Sequence, residues 1–359
     1  MNVVLILGAR PQFIKAEPLV RKLKSRGIKF KLIHTGQHYD YEMSQKIFNE
    51  LKLPIPDYYL NINQCSRCSM VANMMIKIEE IFNSEKPSKV IYFGDTTSTI
   101  AGSLASVNMQ IETCHVEAGL RSFNMTMPEE INRVITDRIS NYNMCPTHIA
   151  KKNLINEGGP HITFNGRKQV IECVGDIMFD LFKYYQKKFK IKTPKNASTN
   201  NVFVTIHRNE NLINIDKLVN ILTTLGKLSH IYDINFSCHP NTKNVITKND
   251  LWKKLENVKI LNPLSYLETQ KQIANSRFCI TDSGGLQKEC YFHKTPCIIM
   301  REETEWIELL GTNNHKLYDG NFDNLMDIIS SPEFLDRDSY SNDLYGSGNA
   351  ADLILDHFL

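Results

Sequence analysis

The sequence predicts an α/β protein built from two doubly wound, Rossmann-like domains. Short β-branched or aromatic runs alternate with longer amphipathic segments along the whole chain, the pattern of a parallel sheet covered by helices. At 359 residues the chain exceeds one ordinary hydrophobic core, so two cores of comparable size are expected. Near the middle the lysine-rich, then polar stretch LFKYYQKKFKIKTPKNASTNN interrupts the alternation. NVFVTIHRNEN then restarts it as the opening VVLILGARPQF does, with a buried strand running straight into a cationic turn. The expected boundaries are a first domain over 1–180, a linker over 181–200 and a second domain over 201–359.

Taken in order, the first half places strands at Val3 to Leu7, Phe30 to His34, Val90 to Phe93, Ile111 to Val116, Tyr142 to Cys145 and Val170 to Val174, each closed by a turn signal. Helices fill the gaps at Pro11 to Arg26, Ser69 to Asn83, Thr97 to Ser106, Glu129 to Ile139 and Thr147 to Glu157. After the strand in NVFVTIHRNEN, further strands are expected at Ile234 to Ser237, Val258 to Leu261, Phe278 to Thr281 and Cys297 to Met300. In sheets of this kind ligands bind beyond the carboxyl ends of the strands, here in a cleft expected between the domains.

Composition narrows the function. Hydrophobic residues at 42% and charged residues at 23% are globular values and argue against disorder. The 42 basic and 39 acidic side chains leave a net charge of +3, too little to steer nucleic acid or a membrane surface, so any anion must be met locally. No apolar segment approaches the ~20 residues that span a bilayer. Nine cysteines and an opening strand without a basic leader suggest reduced thiols in the cytoplasm. Cys65 and Cys68 form a C-x-x-C, but a structural zinc needs four ligands and no second pair occurs at suitable spacing. The remaining cysteines, in runs such as RFCIT and TPCIIM, read as small buried apolar residues.

The chemistry gathers at strand ends. In GARPQFIK, Pro11 suits a helix start whose free N–H groups attract an anion, with Arg10 and Lys15 adding charge. Neither a G-x-G-x-x-G nor a G-K-[ST] is present, which removes the main support for a dinucleotide enzyme or a P-loop. Asp95, in GDTTST, either caps the helix near Thr97 or projects its carboxylate toward a ligand. Within CHVEAGLRSFNMTMPEEINR, Glu117 follows a strand, Arg121 sits on the loop, and Glu129 and Glu130 open the next helix. In the second half His207 and His239 follow strands at one sheet edge, each open to a structural or an acid role. In TDSGGLQKE, Ser283 can cap a helix while Gly284 and Gly285 let its N–H groups approach a phosphate, and Glu289 can reach two vicinal hydroxyls.

With these motifs in order, together with TGQH, HVEAGLR, MPEEINR, HRNEN and REETEW, the chain resembles the non-hydrolysing UDP-N-acetylglucosamine 2-epimerase family essentially end to end. The resemblance implies the fold of the B-type glycosyltransferases, with the terminal helix a candidate to pack back on the first domain. It implies elimination of UDP to a 2-acetamidoglucal and re-addition after protonation of C2 on the other face, with no NAD and no metal. Asp95, Glu117 and Glu129 match the catalytic carboxylates, and His207 matches the partner of the leaving diphosphate. Arg10 resembles a diphosphate ligand, Ser283, Gly284 and Gly285 the phosphate cradle, and Glu289 the ribose clamp, with Lys15, Arg133, His239 and Arg301 as supporting contacts. Asn209 and CSRCS stand where substrate-activated members carry a second arginine and an Arg-Gln-Thr run, so the resemblance does not extend to an allosteric site near Gln37 and His38. Thr304, Glu305 and Trp306 resemble the branch acting on UDP-2,3-diacetamido glucuronates and 6-deoxy hexosamines. A homodimer is implied. A glycosyltransferase of the same architecture and a hydrolysing epimerase are the competing readings.

Overall fold

The alternation in the sequence is realised as parallel strands joined by helices, described by the computed structural model for residues 2–36, 47–62, 66–194, 199–340 and 343–359. Two compact units result, Met1–Tyr184 with Asn342–Leu359, and Tyr185–Ser341. Each is a doubly wound Rossmann-like layer structure with its own parallel sheet.

Among the described residues the first unit carries seven strands: β1 (Val3–Leu7), β2 (Phe30–His34), β3 (Tyr58–Tyr59), β4 (Lys89–Phe93), β5 (Glu112–Val116), β6 (Tyr142–Cys145) and β7 (Val170–Cys173), in the order β3-β2-β1-β4-β5-β6-β7. Every residue of β1 is fully buried, as a central parallel strand with helices on both faces requires. Each such aliphatic side chain contributes roughly 1.5–3 kcal/mol through burial. The strand order reverses between β1 and β4, which pair in register from Val3 opposite Lys89 to Ile6 opposite Tyr92. That switch point leaves a crevice at the carboxyl ends, where Gly8 to Arg10 and Gly94 to Asp95 emerge.

The second unit repeats the plan with β8 (Asn201–Thr205), β9 (Asp233–Ser237), β10 (Lys259–Leu261), β11 (Phe278–Thr281), β12 (Cys297–Ile299) and β13 (His315–Leu317), ordered β10-β9-β8-β11-β12-β13. Its switch point lies between β8 and β11, so His207 and Arg208 emerge beside Asp282, Ser283 and Gly284.

Three sequence expectations change. The two-residue β3 and the short β13, His-Lys-Leu, lack the apolar run that marks a strand, and pairing with a neighbouring strand creates them. Much of the segment read as a connection is helical, because Ile177–Phe189 buries Leu181, Phe182 and Tyr185. Asp95 does not cap its helix; Thr96 does, accepting a hydrogen bond from Thr99 N at 3.3 Å.

The last helix, Ala350–Phe358, belongs to the first unit. Asp352 and Asp356 pair with Lys22 of the helix Arg10–Ser25 and with Arg26, which caps its end. Asp180 accepts the first N–H groups, from Ala350 at 3.0 Å and Ala351 at 2.8 Å. Burial pushes the Asp180 carboxyl up to about 6, against the lowering effect of those two N–H groups.

Candidate active site

In the first unit the turn after β1 is fastened by Gln12, a fully buried side chain. Its Oε1 accepts from Gly8 N at 2.7 Å and Ala9 N at 3.1 Å, and its Nε2 donates to Phe93 O at 2.8 Å and Thr99 Oγ1 at 3.0 Å. One amide thereby joins the carboxyl ends of β1 and β4. The helix begins at Arg10, so Pro11 occupies its first turn without loss of a needed donor.

Lys15 leaves this helix beneath the turn and meets Glu117 at 2.7 Å, both side chains 9% exposed. Gly94 makes the contact possible: a β-carbon there would stand 3.2 Å from Lys15 Nζ, and its φ of +62° also favours glycine. Glu117 holds a φ of +73°, unusual for a residue with a side chain, and its N–H and that of Ala118 both donate to Met144 O. Such a held, sparsely populated conformation aims the side chain off the strand end.

Asp95 lies one strand away, since Phe93 and Val116 are register partners. Its Oδ2 pairs with Arg133 Nη1 at 2.7 Å, and its backbone carbonyl accepts from Asn132 Nδ2 at 2.7 Å. Arg133 also binds Glu130, which accepts the N–H groups of Ser122 at 3.0 Å and Phe123 at 2.9 Å. Burial alone would raise the Glu130 carboxyl, but the Ser122 N–H and the Arg133 guanidinium outweigh it and hold Glu130 below its ordinary value. Glu130 is therefore the clasp of the loop. Its neighbour Glu129 is half-buried and, among the described residues, has no side-chain hydrogen bond or ion pair.

Arg121 turns away from this group. It forms a two-pronged pair with Glu157 and donates to Asp137 at 2.7 Å. Asp137 also binds His115, whose other ring nitrogen meets Gly94 O at 2.7 Å. Burial would raise the Asp137 carboxyl, yet His115 and Arg121 hold it low. The charges crowded between Cys114 and Arg133 thus divide into Arg121, which pairs with Asp137 and Glu157, and a group that pairs at the strand ends with Lys15 and Asp95.

In the second unit buried Asp282 organises the strand ends. It accepts the N–H groups of His207 and Arg208 and the side-chain amide of Asn211 at 3.0 Å. The His207 ring, 40% exposed, stands 6.1 Å from His239, which caps the helix Pro240–Lys248 through Asn241 N at 3.2 Å. Ser283 caps the helix Gly284–Phe292 through Leu286 N at 3.4 Å, and Glu289 is buried inside that helix. Arg301 is buried and paired with Glu210 at 3.0 Å and Glu305 at 2.7 Å. Burial would raise the Glu305 carboxyl, but Arg301 and then Arg208 bring it down to about 2.

Sequence reasoning gave no role to Gln12 or Asp282, placed Glu130 only at a helix start, and named Glu305 only within the run with Thr304 and Trp306. Only Asp282, the residue between the end of a strand and the Ser283 cap, carried a local signal. Cys65, Gln37 and His38 fall outside the described residues, while Cys68 is exposed and Cys114, Cys145, Cys238, Cys279, Cys290 and Cys297 are buried. Among the described residues no His, Cys, Asp or Glu cluster could hold a metal ion, and no helix is long and apolar enough to cross a membrane.

Residues 21–359 match the family profile described as UDP-N-acetylglucosamine 2-epimerase. The chain is 41% identical to a UDP-N-acetylglucosamine 2-epimerase homolog of Methanococcus maripaludis over 98% of this chain and 97% of that protein. It is 37% identical to the UDP-2,3-diacetamido-2,3-dideoxy-D-glucuronate 2-epimerase of Pseudomonas aeruginosa, covering 99% of each. Among solved structures it is similar to the Methanocaldococcus jannaschii UDP-GlcNAc 2-epimerase in complex with UDP-GlcNAc and UDP, with a TM-score of 0.87, 36% identity and 99% of each chain covered.

Proposed function

Because this chain belongs to the UDP-N-acetylglucosamine 2-epimerase family, we propose that it inverts C2 of a UDP-2-acetamido sugar by eliminating UDP and adding it back. One observation carries the reading. At the switch point of the first sheet, Glu117 and Asp95 from adjacent strands each lie against a cation, Lys15 and Arg133, whereas Glu129 has no such partner among the described residues. A group that removes the weakly acidic C2 proton must be charged, and a neighbouring cation favours that form.

In the elimination a carboxylate takes the C2 proton, the C1–O bond to the diphosphate breaks with its electron pair leaving on UDP, and a C1–C2 double bond remains. In the return step a proton is delivered to the opposite face of C2 while the UDP oxygen bonds C1 again. The second unit grips the nucleotide: the capped helix start at Ser283, Gly284 and Gly285 takes phosphate oxygens, Glu289 the ribose hydroxyls, and the exposed His207 ring meets the charge that develops on the leaving diphosphate.

Two substrates fit this chemistry. UDP-N-acetylglucosamine is favoured by the names of most relatives, and a UDP-2,3-diacetamido-glucuronate by the 37% identity to an epimerase of that sugar. Incubation with a panel of UDP-hexosamines in deuterated water, read by NMR, tests the reading. Deuterium entering C2 without any acceptor supports it; need for an acceptor points to a glycosyltransferase, and free sugar accumulating with UDP points to the hydrolysing reaction. The variant Asp95→Asn is expected to lose turnover by about two to four orders of magnitude with little change in UDP affinity. The same reading carries a homodimer, tested by light scattering, and a cytoplasmic location, tested by cell fractionation.

A further inference from the structure

Glu305 places a negative charge where the cradle takes a phosphate. A methyl group built on Gly284, the first residue of the helix Gly284–Phe292, would overlap the Glu305 carboxylate, and Trp306 Nε1 stands 3.3 Å from the same point. Lys288 lies 3.9 Å over the Trp306 ring, so the indole is held in place from below. Thr304 Oγ1 donates to Gln287 Oε1 at 2.7 Å and accepts from Trp306 N at 3.2 Å, which ties the Glu305 loop to the helix.

Two guanidinium groups hold the carboxylate, Arg301 at 2.7 Å and Arg208 at 3.3 Å. They differ in freedom. Arg301 is buried and shared with Glu210, while the Arg208 side chain is 27% exposed on a turn whose backbone Asp282 secures. The free N–H groups and dipole of a helix start favour an anion, and Glu305 supplies one. A diphosphate arriving there brings more charge than the carboxylate, and the two repel at this range.

We propose that Glu305 is a resident counter-anion of the diphosphate cradle, keeping Arg208 poised over the helix start and surrendering it to the incoming phosphates while Arg301 retains the carboxylate. Glu305 is a positioning residue, acting on the ligand through Arg208. The proposal rests on the reading of the cradle as the UDP site. Its consequence is kinetic: UDP has to part from C1, return and finally leave with the product, and a competing anion stops the cations from trapping it.

The test uses Glu305→Gln and Arg208→Gln in the full chain, with binding of UDP and of uridine followed by calorimetry. Glu305→Gln preserves shape and a hydrogen bond to Arg301 but removes the charge, so UDP should bind about tenfold more tightly while uridine stays within about twofold. kcat and KM should fall together as release slows. Arg208→Gln, a substitution at a partly exposed side chain, should weaken UDP by about tenfold and leave uridine unchanged, and Glu305→Ala with its smaller side chain repeats the charge removal if the glutamine variant fails to fold. Weaker UDP binding by Glu305→Gln, equal shifts for UDP and uridine in either variant, or unchanged UDP affinity in Arg208→Gln overturns the proposal. A native protein that exchanges C2 hydrogen and binds UDP while giving those results loses this inference alone; one that binds no UDP loses the cradle as well.

Discussion

Replacing Lys15 with methionine keeps the aliphatic stem and removes the ammonium that faces Glu117 at 2.7 Å. At that distance and an effective dielectric of about 20, the gross attraction is about 6 kcal/mol, much of it offset by the cost of taking both ions out of water. With both side chains only 9% exposed, removing one partner leaves Glu117 with little water to replace the lost charge. The expected loss is about 3–5 kcal/mol for the first unit. Both tryptophans, Trp252 and Trp306, belong to the second unit, so their fluorescence does not report this change. Hydrogen exchange of the β1 and β5 amides does. The double variant Lys15→Met with Glu117→Gln removes both charges and should regain most of the protection, a coupling of about 3 kcal/mol, yet remain inactive because the carboxylate is gone. A loss below about 1 kcal/mol in the single variant, or a double variant no more protected than the single one, refutes the argument that this pair is a buried, mutually dependent unit.

Asp180 sets a pH dependence of known sign. Its folded value of about 6 is raised above the ordinary 3.8, so the native state holds the proton more tightly and stability is fully present below about pH 4 and falls as pH rises to about 6, by about 3 kcal/mol. Asp180→Asn should flatten that slope in urea unfolding curves taken from pH 4 to 7. Glu305 has the opposite sign: its folded value of about 2 lies below the ordinary 4.5, so its contribution is present above pH 4.5 and lost as pH falls toward 2. Acid titration followed by Trp306 fluorescence should show this limb in the native protein and not in Glu305→Gln. Gly94→Ala should cost about 1 kcal/mol or more through its positive φ and push Lys15 from Glu117, lowering kcat more than it changes UDP affinity.

Much of the fold was legible because its signals are local. The strand Val3–Leu7 and the edges of Tyr142–Cys145 and Phe278–Thr281 follow from apolar runs closed by turn residues. The Ser283 cap sits three residues before the N–H it serves, within one turn of chain. The short β3 and β13 were not legible, since their residues become strands only by pairing with a neighbour already in place.

The linear chain is enough to place acids and cations at the ends of strands, because strand ends and helix starts are written in a few consecutive residues. It could not say which charges neutralise one another. Glu117 meets Lys15 across 102 positions, and Asp95 meets Arg133 across 38. Glu129 and Glu130 are adjacent and identical in type, yet one clasps a loop through Arg133 while the other has no side-chain partner among the described residues. Those roles were decided by tertiary structure, since burial and the approach of a distant cation depend on how strands and helices pack, and a carboxylate takes its chemistry from that environment.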